Sequence, residues 1–257
     1  MFSFCLHNEI LKKTTKKKPS PKIGVLRIDY DYPPLVGDVD DENTFKFEIE
    51  YVVVNGLTFE KAQSGEINDS IIMELDIAIR KLEQKQVIGI TGDCGFLMAY
   101  QKIIRKATKL PVFMSSLLLT PIISAAINND DKIGILTANS DSLIQTLPRL
   151  LTECGVKNDV SQFYVIGCQN IDGFEAVAAG ERVDFEKVNN GIQALVKENL
   201  AKNPNTKAFL MECTELPAYS DTIRYLTALP VFDVTDLISL FYSSCTDNPR
   251  FGINNWQ

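Results

Sequence analysis

The sequence predicts an α/β protein of two similar lobes, each a mostly parallel sheet flanked by helices, related by internal pseudo-symmetry with the active site between them. Three observations carry this. Cys94 is followed 16 residues on by Leu110-Pro111-Val112-Phe113, and Cys213 at the same spacing by Leu229-Pro230-Val231-Phe232, so both features repeat at an offset of 119. Lys22-Ile23-Gly24-Val25-Leu26 returns as Lys132-Ile133-Gly134-Ile135-Leu136 at an offset of 110. Between these markers, short apolar runs alternate with helical patterns, the signature of parallel sheets. Three matched features in one order point to a duplicated half.

Lys22 to Ile28 reads as a first buried strand behind Pro19 and Pro21. An acidic, aromatic and proline-rich loop, residues 29–38, leaves its carboxyl end, where open α/β sheets place ligands. Phe45 to Tyr51 alternates apolar and polar and runs on into Val52-Val53-Val54, a second strand. Ile71, Ile72, Leu75, Ala78, Ile79 and Leu82 fall three and four apart, giving a helix over 69–84 capped by Asn68 or Asp69. Val87 to Thr91 is a short strand, and the turn at Cys94 opens a helix over 96–107. The Pro111 strand, Ser115-Ser116 and a helix toward Asn128 complete the first scheme.

The second scheme starts with a strand at Ile133, then a helix from Thr137-Ala138-Asn139-Ser140 to about Cys154. A strand at 163–166, an irregular turn near Gly173, a helix over 184–201 and a strand at 208–211 follow. The Pro230 strand leads into a last helix through Asp236 to Phe241. The expected division is a basic tail over residues 1–21, a first lobe over 22–116 with 235–257, and a second lobe over 117–234.

Composition narrows the function classes. With 257 residues and 45% hydrophobic content the chain can bury a large core. No apolar run reaches the roughly 18 to 20 residues a membrane helix needs, so no membrane partner is expected. Residues 1–22 carry a net charge of +5 and the rest −12, an acidic body unsuited to nucleic acid. Six cysteines without a Cys-x-x-Cys pair imply a reducing, cytoplasmic setting rather than a disulfide scaffold. The single histidine, His7, lies in the tail, which removes histidine triads and histidine-ligated metals from the folded body. Acid–base work falls to Cys, Asp, Glu, Lys or Tyr. No Gly-x-Gly-x-x-Gly or phosphate-binding Gly-x-x-x-x-Gly-Lys occurs, and neither cofactor nor metal is expected.

Cys94 and Cys213 stand out because each would end a strand at the start of a helix. Unpaired amides there favour a thiolate and attract a carboxylate ligand. Two facing thiols can take a proton from a carbon beside a carboxylate and return one to its other face. Thr137, Asn139, Ser140 and Thr214 stand at strand ends suited to hold the developing charge.

Asp93-Cys94-Gly95-Phe96 and Glu212-Cys213-Thr214-Glu215-Leu216-Pro217, with Lys22-Ile23-Gly24 and Pro111-Val112-Phe113-Met114-Ser115-Ser116, resemble the aspartate/glutamate racemase superfamily, over about residues 22–245. That superfamily includes glutamate and hydantoin racemases, maleate isomerases and arylmalonate decarboxylases. The resemblance implies that Cys94 and Cys213 transfer protons without a cofactor, that Thr214 binds the substrate carboxylate and that Glu215 orients the second thiol. It places Asp29 near an acid after the first strand, Thr137 to Ser140 at a carboxylate-binding turn, and Gly95, Phe96 and Ser115 in the substrate pocket. Gly95-Phe96 departs from the Asn-Thr of most amino-acid racemases, since phenylalanine offers no polar group.

The expected function is therefore a cofactor-independent isomerase racemising aspartate, glutamate or a related amino acid. Alternatives are a maleate isomerase, an arylmalonate-decarboxylase-like enzyme and a non-catalytic protein that binds small acids. The partner is a small carboxylate or amino acid. A homodimer is the oligomeric arrangement considered.

Overall fold

Buried β-branched runs build the two sheets. The structure, a computed structural model, describes residues 20–156 and 160–246. All but the last two residues of the basic tail, and residues 247–257 of the expected first lobe, lie outside them. The first sheet contains β1 (Ile23–Arg27), β2 (Ile49–Val53), β3 (Gly89–Gly92) and β4 (Val112–Phe113), and the second contains β5 (Lys132–Thr137), β6 (Phe163–Gly167), β7 (Thr206–Met211) and β8 (Val231–Phe232). Their strand orders, β2-β1-β3-β4 and β6-β5-β7-β8, are the same, and every pairing is parallel. This is the two-lobed α/β fold expected from the repeat.

The duplication reaches single hydrogen bonds. Ile90 N donates to Pro111 O and Phe209 N to Pro230 O, both at 2.9 Å, so the two Leu-Pro-Val-Phe runs supply equivalent edge strands. A proline just ahead of an edge strand removes no interior ladder bond. Likewise Asp93 N donates to Leu26 O at 3.2 Å and Glu212 N to Leu136 O at 2.7 Å.

The helices are α1 (Phe59–Ser64), α2 (Asp69–Gln84), α3 (Gln101–Ala107), α4 (Thr120–Ala126), α5 (Ser140–Glu153), α6 (Glu175–Ala179), α7 (Phe185–Lys202), α8 (Ser220–Thr227) and α9 (Val234–Ser244). Asn68 caps α2 by accepting from Ile71 N at 2.9 Å, and Ile71, Leu75, Ala78, Ile79 and Leu82 form its buried stripe. Asn139 caps α5 by accepting from Ser142 N, with Leu143, Leu147, Leu150 and Leu151 buried. Asp233 and Asp236 form a reciprocal capping box on α9. From there Phe241 returns to the first sheet, with its ring centroid 4.6 Å from that of Phe113.

Three expectations change in detail. The second strand begins only at Ile49; Phe45 and Phe47 instead pack on each other, and Phe47 stacks on Tyr242 at 3.8 Å. Their alternation reflects burial against α9 rather than pairing. The segment after Cys94 enters through a 3-10 turn, Gly95–Tyr100, before α3, and Ser116–Leu119 and Leu216–Tyr219 do the same before α4 and α8. Helices α1 and α6, of six and five residues, are too short to show a period.

Side chains join the lobes directly. Ser116 Oγ donates to Met211 O at 2.6 Å, Asn139 Nδ2 to Gln63 Oε1 at 2.8 Å, and Thr214 Oγ1 to Asp93 O. Among the described residues no helix is long and apolar enough to cross a membrane.

Candidate active site

Each cysteine follows an acidic residue whose amide is tied to the neighbouring strand, so the equivalent bonds of Asp93 and Glu212 bring Cys94 and Cys213 to equivalent strand ends. Both thiols line one small, tight cleft between the lobes. Gly95, Phe96, Glu212, Thr214 and Glu215 line it too, as do Phe59 from the start of α1 and Ala138 from the turn before α5. Among the described residues no lysine, arginine or histidine lines it. A wider cavity of about 210 Å³ shares Phe59 and Ala138 with the cleft and adds the amides of Gln63, Asn139 and Gln169 and the carboxyl of Glu175.

The electrostatics differ from the sequence expectation of two depressed thiol pKa values. Burial pushes the Cys94 thiol well up, and the charges of Glu212, Asp93 and Glu215 add to the rise. Burial also raises Cys213, as do the charge of Glu215 and the hydrogen bond that Cys213 Sγ donates to Glu215 Oε2. The turns at these strand ends are 3-10 segments of six and four residues, too short to offset nearby carboxylates. Both sulfurs therefore rest as thiols. Burial also raises Glu215, against the lowering effect of the Cys213 hydrogen bond.

Glu212 is the most confined acid. It is fully buried; Oε2 accepts from Thr137 Oγ1 at 2.8 Å, while Oε1 has no hydrogen-bond partner among the described residues. Burial pushes its pKa up to about 8. The fold thus favours the protonated acid. That stabilisation is complete below the ordinary value of 4.5 and is lost as pH rises to about 8. Glu212→Gln, which stays neutral, is expected to gain on the order of a few kcal/mol over wild type between about pH 5 and 8. Urea midpoints at those two pH values measure it, and parallel pH dependence in the two proteins would refute it.

The other expected site residues separate into groups. Cys94, Gly95, Phe96, Cys213, Thr214 and Glu215 all border the cleft. Thr137 sits behind Glu212 with its hydroxyl engaged, and Asn139 borders the wider cavity. Ser140 Oγ accepts from Gln169 Nε2 at 2.7 Å. Ser115 is buried and caps the following turn by accepting from Leu117 N. Asp29 is exposed and accepts from Gly56 N at 2.7 Å; it borders neither cavity. The acids buried in that region are Asp38 and Asp93. Sequence reasoning missed Phe59, Ala138 and Glu212 as cleft walls. Glu212 carried a readable signal, an acid before each cysteine at the offset of 119. Among the described residues no group of three or more His, Cys, Asp or Glu side chains could hold a metal ion.

Comparison with known proteins corrects the expected activity. No family model matches the sequence. Over 241 residues the chain is 46% identical to dimethylsulfoniopropionate lyase 3 of Emiliania huxleyi, covering 92% of this chain and 63% of that protein. Over 252 residues it is 43% identical to a dimethylsulfoniopropionate lyase of Durusdinium sp. clade D, covering 94% and 84%. Among solved structures, arylmalonate decarboxylase in a sulfate-associated form superposes with a TM-score of 0.57 at 18% identity, over 89% of this chain and 95% of the other. An aspartate racemase homologue from Pyrococcus horikoshii gives 0.56 at 16%, over 87% and 98%. These two show the fold alone, the two-lobed α/β arrangement they share with this chain. The relatives that share nearly half the sequence are named lyases, which overturns the expectation of an isomerase racemising aspartate or glutamate in amino-acid metabolism. At 43% identity across most of both chains, this protein belongs to the dimethylsulfoniopropionate lyase family.

Proposed function

We propose that the chain is a lyase that splits dimethylsulfoniopropionate, a sulfonium cation joined through two methylene carbons to a carboxylate. The observation that carries this is the cleft wall: two thiols, the carboxyls of Glu212 and Glu215, the rings of Phe59 and Phe96, and no basic side chain. A sulfonium is attracted by carboxylates and by aromatic faces. Phe96, out of place beside an amino acid, suits the methyl groups of a sulfonium. The carboxylate end would face the wider cavity, toward Asn139 and the amides of Gln63 and Gln169, with the Glu175 carboxyl there engaged by the Gly173 amide.

Cys213 is the base in this reading because it alone of the two thiols has a side-chain proton acceptor within hydrogen-bond reach, Glu215. The incoming cation favours every anionic form in the cleft, so binding lowers the Cys213 pKa when the thiolate is needed. Glu215 takes the Sγ proton, and the thiolate removes a proton from the carbon beside the carboxylate. The C–H electrons form the double bond of acrylate, and the C–S pair leaves on dimethyl sulfide. Cys94 closes the opposite wall.

Incubating purified protein with dimethylsulfoniopropionate and following dimethyl sulfide in the headspace against acrylate in solution tests the proposal. Equal amounts of both products are expected. Absence of turnover, or release of only one of them, would sink it.

A further inference from the structure

The lyase reading has a consequence for protons. A racemase returns the proton it takes, but elimination turns a zwitterion into neutral dimethyl sulfide and an acrylate anion, leaving one proton on the enzyme at each turnover. In the sequence of transfers above, that proton ends on Glu215, which must lose it before the next cycle.

A third, small cavity of about 10 Å³, room for about one water, lies behind Glu215, which borders both it and the reaction cleft. Tyr32, Asp38 and Tyr219 supply its other polar groups, and Phe174 and Val183 are among its apolar walls. Tyr32 OH donates to Asp38 Oδ2 at 2.5 Å, and Asp38 Oδ1 accepts from Asp40 N at 2.9 Å, so Asp38 is held in place. Tyr219 is 1% exposed and stacked on Phe185, yet its hydroxyl has no hydrogen-bond partner among the described residues. A buried hydroxyl facing a polar cavity is a site for bound water. Tyr32 lines the cavity and is itself only half-buried.

We propose that this cavity is a proton-exit chamber in which water held by Tyr219, Asp38 and Tyr32 takes the proton from Glu215 and passes it to solvent, while the reaction cleft stays closed to water. The inference rests on the lyase reading, since only a reaction that releases a proton needs such a path. Glu215 loses the proton it took from Cys213, an Asp38–Tyr32 pair relays it, and Glu215 returns as a carboxylate ready to accept again. Asp38 is a positioning and relay group that touches no substrate.

Tyr219→Phe removes only an unpartnered hydroxyl, so its unfolding midpoint is expected to match wild type. With the release step slowed, kcat should fall about tenfold and KM with it, leaving kcat/KM unchanged, and small buffers such as imidazole should restore kcat in proportion to their concentration. Asp38→Asn keeps one acceptor but gives up the bond to either Tyr32 or Asp40 N, so it should be somewhat less stable, with the same loss of kcat and the same rescue by buffer. Wild-type kcat in both variants, or a loss that buffer does not restore, overturns the chamber and leaves the lyase reading standing. A wild-type protein that releases no dimethyl sulfide overturns both.

Discussion

Cys213→Ser is expected to lower dimethyl sulfide release by about 10³-fold or more, and Cys94→Ser by clearly less. Serine preserves the shape of the side chain and its hydrogen bond to Glu215, but an alcohol is far less acidic than a thiol. Glu215 therefore no longer generates a useful base. The asymmetry follows from the reaction class, since racemisation needs a proton donor facing the base and elimination needs one base only. Of the two thiols, Cys213 alone has a carboxyl hydrogen-bond partner among the described residues, and the Cys94 thiol is held up by burial and by the charges of Glu212, Asp93 and Glu215. Headspace dimethyl sulfide from both variants at saturating substrate is the measurement. Equal losses would return the second thiol to a proton-transfer role and remove the argument for a single base.

How much of this could be read from the sequence depended on whether the signal was repeated. Leu-Pro-Val-Phe and Lys-Ile-Gly occur twice, so the sheets, their matching order and the two thiols in one cleft followed from spacing. Phe59 occurs once, on a helix of six residues, and nothing in its neighbourhood announces a cleft wall. Asp29 illustrates the opposite failure: adjacency to a strand end looked like a site position, but the chain turns and the carboxylate caps the Gly56 amide in solvent. Thiol acidity was misjudged for a related reason. A cysteine at a helix start is legible, and so are the acids beside the two thiols, Asp93, Glu212 and Glu215, whereas the burial that raises both thiols most arises only when the lobes pack together. Reaction class was the least legible, because racemases and lyases can share this backbone and differ in what the cleft wall attracts.

Gly95→Ala is expected to destabilise the protein by about 3 kcal/mol and to abolish activity. A Cβ on Gly95 would lie 2.0 Å from the Glu212 carbonyl oxygen and 2.4 Å from Glu212 Oε1. The carbonyl cannot swing aside, because Glu212 follows β7 directly and its amide is bonded to Leu136. The clash would therefore push the lobes apart where the two thiols meet, and a base displaced by even about 1 Å can lose 10²-fold in rate. The departure from the racemase pattern acquires a reason here: an asparagine at position 95 would need room that the backbone of Glu212 occupies. Gly95→Asn, the substitution that would restore that pattern, should accordingly be worse than Gly95→Ala in urea midpoint and should not yield amino-acid racemisation. A Gly95→Ala protein with wild-type midpoint and turnover would mean that the cleft is wider than 2.0 Å contacts allow.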